Sequence, residues 1–515
     1  MAENAVAARF YNAAEDLIGR NLTAGRGGKK AVIDSRGSYT YQELADRIER
    51  FANAIRAAGV LPEQRVILAL HDTIDFPTAF LGAIWAGVIP VPINTRLAPR
   101  DYAYILADSR AEALFVSDNL IESVLSEVGA EPRHVVVSGA EVAGRQSFAD
   151  FIAAPGDDTA PAETTPDDLC FWLYTSGTTG MPKGAVHLHS HLMESANLYA
   201  VPVLDISEED IVYSAAKLFF AYGLGNGLTF PFAVGATAIL LEGPPAPAAV
   251  CQIIREHKPT LFFGVPTLYG MLLASKDLPG AEEHAIRLCV SAGEALPEEL
   301  LNRWKARTGT DILDGLGSTE MLHIFVSNRV GEIVPGATGK AVPGYELRLL
   351  DEKGAPCKPG EMGILEVSGP TSAVMYWNQR AKSIDTFRGA WTRTGDKYVA
   401  DENGVYTYCG RNDDMMKVGG IYVSPFEVEG ALLKHQAVLE AAVVGHPDHD
   451  GLVKPKAYVV LAEGAHASDE LTADLTDFVK KDLASFKYPR WIIYADELPK
   501  TATGKIQRFK LRETA

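Results

Sequence analysis

The sequence predicts an α/β protein whose later part turns β-rich and which ends in a compact α+β unit. Three observations carry this. Short apolar runs of strand character alternate with helix-like stretches across tight turns, the pattern of parallel α/β layers. After about residue 335, turn-forming sequences crowd together, as in Asp351-Glu352-Lys353-Gly354, Lys358-Pro359-Gly360 and Glu402-Asn403-Gly404. The length of 515 residues also exceeds what one ordinary core organises.

The elements follow in order. Arg65-Val66-Ile67-Leu68-Ala69-Leu70 reads as a buried strand, followed by a helix through Phe80-Leu81-Gly82-Ala83-Ile84. The apolar stretch from Phe80 to Ile93 is too short for a bilayer, which needs about 20 residues, and reads as a core helix running into a buried strand. Leu114-Phe115-Val116, His134-Val135-Val136-Val137, Thr237-Ala238-Ile239-Leu240-Leu241 and Thr260-Leu261-Phe262-Phe263 repeat the strand pattern. A boundary is expected after Gly410-Arg411, with the α+β unit running from there to Ala515. No low-complexity linker intervenes, so any hinge must be short.

Composition narrows the function. The chain is 47% hydrophobic and 22% charged, which is globular, and its net charge of -18 disfavours nucleic acid and anionic membranes. Five cysteines without CxxC spacing predict a reduced, cytoplasmic chain. The N-terminus shows no basic or apolar region of a signal peptide.

The densest signal is Tyr174-Thr175-Ser176-Gly177-Thr178-Thr179-Gly180-Met181-Pro182-Lys183-Gly184, which follows the strand-like Leu169-Cys170-Phe171-Trp172-Leu173. Glycines let a backbone close on a phosphate, hydroxyls donate to its oxygens, and a lysine supplies charge. The spacing differs from the GxxxxGK[ST] loop. A solvated Ser/Thr/Gly surface loop is the other reading of that composition. Further on, Ser291-Ala292-Gly293-Glu294-Ala295 follows the strand-like Arg287-Leu288-Cys289-Val290, and Asp314-Gly315-Leu316-Gly317-Ser318-Thr319-Glu320 places a hydroxyl beside a carboxylate. Trp391-Thr392-Arg393-Thr394-Gly395-Asp396 offers a carboxylate for two ribose hydroxyls, and Tyr408-Cys409-Gly410-Arg411 a guanidinium. Near the end stands Leu498-Pro499-Lys500-Thr501-Ala502-Thr503-Gly504-Lys505-Ile506. Taken singly, each is also an ordinary turn, a surface salt bridge or a basic tail.

The ordered set resembles the acyl-adenylate-forming superfamily of acyl-CoA synthetases, adenylation domains and luciferases, over nearly the whole chain. The resemblance implies an adenylate-forming enzyme fold. A large N-terminal domain, 1–411, would hold two αβ layered subdomains and a β-rich part at about 335–411, and a small mobile domain, 412–515, would carry the catalytic lysine. It implies ATP and Mg²⁺ as cofactors. The nucleotide would be held by Thr175, Ser176, Gly177, Thr178, Thr179, Gly180 and Lys183, by Ala292, Gly293 and Glu294, by Asp314, Gly315, Leu316, Gly317, Ser318 and Thr319, and by Asp396 and Arg411. Glu320 would hold the metal, and Lys505, Thr319 and Glu320 would be catalytic. Asp413 matches the family's hinge, and Gly419 and Gly420 match the strip along the thiol tunnel; a plain hairpin turn is their other reading.

Ala216 to Asn226 sits where members of the family place their acyl pocket. Phe220, Ala221, Tyr222 and Gly223, with Gly315, His323 and Ile324, suit a flat ring, and the wording is similar to the benzoate and 4-hydroxybenzoate–CoA ligases. The activity implied is that of an aromatic acid–CoA ligase, making acyl-AMP and pyrophosphate, then acyl-CoA and AMP. His323 or Tyr222 would meet a ring hydroxyl. Coenzyme A is the simplest thiol, its phosphates meeting Lys487 and Arg490, because no carrier domain is recognisable. A stand-alone enzyme that loads an aryl or alicyclic acid onto a carrier protein is the rival, and in either case the chain is expected to act as a monomer or homodimer. A non-catalytic nucleotide-binding protein is disfavoured by Lys505, Glu320 and Asp396 occurring together. His446-Pro447-Asp448-His449-Asp450 reads as a polar turn rather than a metal cluster.

Overall fold

The computed structural model describes residues 10–153, 158–175, 181–411, 414–418, 421–449, 451–484, 486–500 and 506–513. Ser176, Gly177, Thr178, Thr179, Gly180, Asp413, Gly419, Gly420 and Lys505 lie outside the described residues.

Two layered α/β units form first. One is a five-stranded parallel sheet in the order Ile89–Pro92, Arg65–Ala69, Ala113–Ser117, His134–Ser138, Gln146–Ser147. The helix Asp75–Trp85 is buried along its whole length. It packs closely on Tyr41–Ala57, and a Cβ at Gly82 would lie 2.7 Å from the Phe51 ring, so only glycine fits there. The capping box of Thr40 and Glu43 starts Tyr41–Ala57. At the start of the other helix the buried Asp75 carboxylate pairs with Arg36 at 2.6 Å and accepts from Ser138 at 2.7 Å. A buried charge is tolerated when it is paired in this way.

The second unit is a nine-stranded sheet. Its centre is parallel, in the order Ile312–Gly317, Leu288–Ala292, Leu261–Gly264, Ile211–Ser214, Thr237–Ile239, Lys30–Asp34. Ile324–Ser327 and Gly37–Thr40 pair antiparallel at its two flanks. Buried on both faces, the central strands read as continuous apolar runs, as parallel strands do. In open sheets of this kind ligands bind beyond the carboxyl ends of the strands. Here those ends lead into Val265, Gly293 and Ser318.

Leu169–Thr175 and Lys183–Leu188 form an antiparallel pair that brings Thr175 opposite Lys183. The strands Glu346–Leu350, Met362–Ser368, Trp391–Ala400, Phe387–Arg388 and Tyr406–Arg411 build an antiparallel sheet, the β-rich part. Its turns are those the sequence marks: Gly354 and Gly404 donate back to Asp351 and Asp401 at 3.1 and 3.2 Å, both glycines at positive φ. The small C-terminal domain has a sheet of Val438–Pro447, Val453–Leu461 and Trp491–Tyr494, covered by the helices Pro425–Leu433 and Asp469–Asp482. A hairpin of Met416–Val418 and Ile421–Val423 precedes it. Of the expected polar turn, His446 and Pro447 instead end the strand Val438–Pro447, where His446 packs edge-on against Trp491, and beyond them Gly451 donates to the Asp448 carbonyl at 2.9 Å. No helix is long and apolar enough to cross a membrane among the described residues.

Candidate active site

A long cleft lies between the large domain and the small one. Thr175 and Lys183 line it from the antiparallel pair, and Gly293, Glu294 and Asp314 to Glu320 line it from the sheet edge. Asp396 and Arg411 come from the β-rich sheet, and Glu440, Ile506 and Arg508 from the small domain. Asp396 and Arg411 are register partners on adjacent strands, and their side chains meet at 3.3 Å. Lys183 lies 4.4 Å above the Tyr376 ring. Burial lowers its pKa, an effect opposed by the Glu320 carboxylate.

Thr319 opens a single 3-10 turn, Thr319–Met321, started by the Ser318 hydroxyl, which accepts from Met321 at 3.3 Å. The Tyr376 hydroxyl donates to Glu320 Oε1 at 2.6 Å. Magnesium takes most of its ligands from phosphate and water oxygens, so a single cleft carboxylate suits it. No group of three or more His, Cys, Asp or Glu arranged to hold a metal occurs among the described residues. The Glu320 carboxylate in the cleft fits an ion that keeps phosphate and water oxygens as its other ligands.

A second cavity of about 570 Å³ opens off the cleft. Phe220, Ala221, Tyr222, His323 and Ile324 wall it together with Val265, Leu268 and Met271. Phe220, Thr267, Met271, Gly293 and Gly317 to Thr319 border both cavities, so their junction lies at the turn that carries Thr319. His323 is buried; Nε2 lies 3.0 Å from Asn226 Oδ1, and its ring packs near Tyr199, Tyr222 and Phe230. Burial pushes its pKa down to about 3, so the imidazole is neutral near pH 7. Two π-helical segments, Ala196–Ala200 and Gly225–Thr229, carry Tyr199 and Asn226 to this wall. Single π turns inside helices often mark functional sites.

The structure separates residues that the sequence groups together. The Tyr222 hydroxyl spends its proton on the carbonyls of Val290 and Gly264, at 3.1 and 3.3 Å, so towards a ligand its oxygen can only accept. Gly223 is not on the cavity wall; a Cβ there would lie 2.0 Å from the Lys217 carbonyl, and the residue serves close backbone packing. Gly315 faces the cleft and leaves room for Ile324, whose Cδ1 a Cβ there would meet at 2.7 Å. Ala292 borders the apolar cavity and not the cleft. Lys487 pairs with Glu427, and Arg490 stacks on Tyr488 at 3.5 Å; neither lines the cleft or the second cavity. Lys500 and Ile506, on either side of residues 501–505, line the acid-side cavity and the cleft respectively. Lys500 is paired with Glu440 at 2.8 Å.

Sequence reasoning missed Tyr376, His187, the pairing of Asn226 with His323, and the charged rim of the second cavity, where Lys217 of the expected pocket segment faces the buried Asp72 at 3.8 Å and Arg96 lies nearby. Tyr376 stands 56 positions from Glu320, a pairing without local signal. The run His187-Leu188-His189-Ser190-His191, which spans the end of the strand Lys183–Leu188 and the start of the helix Ser190–Ser195, was the one visible cue.

Residues 20–377 match the model for the AMP-binding enzyme, and residues 427–505 match that for the AMP-binding enzyme C-terminal domain. The chain belongs to the AMP-binding enzyme family. Within this family it is 58% identical to a benzoate–CoA ligase of Thauera aromatica, across 98% of this chain and 96% of that one. It is 47% identical to a 4-hydroxybenzoate–CoA/benzoate–CoA ligase of Rhodopseudomonas palustris, across 98% and 94%. Among solved AMP-binding enzymes, a benzoate CoA ligase from Burkholderia xenovorans superposes with a TM-score of 0.91 at 52% identity, over 98% of this chain and 100% of that one. An anthranilate CoA ligase in complex with anthranoyl-AMP gives 0.93 at 43% identity, over 98% and 97%. The fold is the adenylate-forming one, with a large N-terminal and a small C-terminal domain.

Proposed function

We propose that this protein is an ATP-dependent aromatic acid–CoA ligase of the benzoate or 4-hydroxybenzoate type. One observation carries the substrate class. The cavity that joins the cleft at Gly317 to Thr319 is walled by Phe220, Tyr222, Ile324 and Met271, an aromatic and apolar wall into which His323 brings a neutral polar group. Full-length likeness to ligases of aromatic acids supports the same assignment.

The acid lies with its ring in that cavity and its carboxylate at the junction. A carboxylate oxygen forms a bond to the α-phosphorus of ATP, and pyrophosphate leaves. Thr319 donates to the α-phosphate, and Asp396 accepts from the ribose hydroxyls. Thr175 to Lys183 hold the outer phosphates. Magnesium bound to Glu320 and the phosphates would neutralise their charge. The Lys505 ammonium meets the negative charge that builds on the phosphate in the transition state, where such a group is most effective. The resulting mixed anhydride is a better electrophile than a bare carboxylate. The small domain, whose boundary we place between 411 and 412, then turns about Asp413. CoA enters along Gly419 and Gly420, with its phosphates near Lys487 and Arg490. Its sulfur bonds to the acyl carbon, the C–O bond to AMP breaks, and the thiol proton is lost. His323 or Tyr222 meets a ring hydroxyl, Tyr222 only as an acceptor because its proton is already committed. Free cysteines at all five positions support a cytoplasmic setting, and the enzyme works as a monomer or homodimer.

The test is acid-dependent pyrophosphate release across benzoate, its hydroxy and amino forms, and cyclohexane carboxylate, followed by AMP release on adding free CoA. Benzoate or 4-hydroxybenzoate should lead. AMP release that requires a carrier protein would point instead to carrier loading, and no pyrophosphate with any acid would end the proposal.

A further inference from the structure

Three consecutive carbonyls at the junction turn are each held from outside it. Thr371 Oγ1 donates to the Met321 carbonyl and the Ala373 amide to that of Glu320, both at 2.7 Å. The Thr319 carbonyl lies 2.9 Å from His187 Nε2. His187 is fully buried on the strand Lys183–Leu188, its ring stacked on Phe171 at 5.1 Å. A carbonyl only accepts, so Nε2 carries the proton and Nδ1 presents a lone pair. His191 Nδ1 lies 3.0 Å from His187 Nδ1 and, as the donor there, cannot also accept from the Leu188 amide, whose 3.4 Å approach to the same atom is the longer contact. The turn needs holding. Leu322 sits at φ 66 and ψ -47, with His323 donating back to the Met321 carbonyl at 2.8 Å, a γ-turn of the strained positive-φ kind. Such a conformation persists only where its surroundings over-determine it.

We propose that His187 is a positioning residue for nucleotide activation. It fixes the Thr319 carbonyl, and through it the placement of the Thr319 hydroxyl and the Glu320 carboxylate, while His191 sets its tautomer. It touches no reacting atom. The inference rests on the reading of Thr319 and Glu320 as the phosphate and magnesium residues.

The experiment compares His187→Leu, which removes the donor, with His187→Gln, whose amide nitrogen reaches about as far as Nε2, and His187→Asn, whose amide falls short. Acid-dependent ATP–pyrophosphate exchange gives kcat and KM, and calorimetry gives the affinity for a non-hydrolysable ATP analogue with and without magnesium. Thioester formation from supplied acyl-AMP and thermal melting report folding. His187→Leu should lower the exchange kcat about 10- to 100-fold, with the KM for the acid within about threefold, and His187→Gln should recover to within about fivefold of the parent. The gain in analogue affinity from magnesium should shrink in the Leu and Asn variants and return in Gln. Parent-like exchange and magnesium response in His187→Leu would overturn the proposal. So would equal loss in Gln and Asn, which decides alone if the Leu variant fails to fold. Glu320→Gln separates the two readings. If it leaves the magnesium response intact, the metal reading itself fails. If it abolishes that response while His187→Leu spares it, only the positioning role fails.

Discussion

At the residue scale, the site assigns separable duties to single side chains. Lys505→Ala should depress acid-dependent pyrophosphate exchange by about 100-fold or more, as loss of a group acting mainly in the transition state does. Thioester formation from supplied acyl-AMP should stay near the parent rate. Equal loss in both half-reactions, measured side by side, would remove Lys505 from its role. Gly225 gives a second case. A Cβ there would lie 2.3 Å from His323 Cδ2, so Gly225→Ala must displace the imidazole. Its KM for the acid should rise about tenfold while AMP affinity stays within about twofold, the mark of damage confined to substrate binding. Steady-state kinetics and calorimetry would check this. Sequence alone made Thr319, Glu320, Asp396 and Arg411 legible, because each sits in a short motif whose chemistry is local. Tyr376 and His187, and the pairing of Asn226 with His323, were not legible, because the partners lie 56, 132 and 97 positions apart and only the folded chain joins them.

At the element scale, the strands after Arg65 and the helix through Phe80 were readable from apolar runs, since parallel strands buried on both faces leave that imprint. The π-helical segments were not, because one extra residue in a turn barely alters the pattern of apolar positions. The C-terminal helix Arg508–Glu513 depends on a contact of another kind. Arg508 places its guanidinium 2.9 Å from Glu429, both nearly buried, and 4.3 Å from the Phe426 ring. Glu429 Oε1 also accepts the Val443 amide at 2.7 Å, so the carboxylate has no other place to go. Arg508→Leu would leave it buried and uncompensated, at a cost of about 3–5 kcal/mol to the small domain. Chemical denaturation should show that domain melting first, and replacing Glu429 by Leu in the same chain should recover part of the loss. An unaltered denaturation midpoint in Arg508→Leu would count against this account of the pair.

At the scale of the whole molecule, four buried histidines set a direction of pH dependence. Burial lowers His187 and His189 to about 4, His191 to about 2 and His323 to about 3, from an ordinary value of 6.5. Below pH 6.5 the unfolded chain takes up protons that the folded chain refuses, so stability falls as pH drops towards the folded values. Each such group can contribute a slope of up to about 1.4 kcal/mol per pH unit in that window. The melting temperature should therefore hold near neutrality and drop steeply between about pH 6 and 4, and less so in His191→Phe. A flat profile there would show that the imidazoles are not held neutral. The domain pattern was legible because composition changes along the chain. The charged rim at Asp72 and Lys217 was not, because the two residues lie far apart in the chain and only the fold brings them together.

The γ-turn at Leu322 ties two jobs into one rigid piece. Residues 319–320, assigned to phosphates and metal, and residues 323–324, assigned to the ring, are separated by two positions, one of them strained. Evolution or engineering that alters the acid through His323 or Ile324 therefore pulls on the chemistry of every acid alike. New substrates should be reached most easily from the facing wall, at Phe220 or Met271, where the cavity can be recut without touching that shared piece.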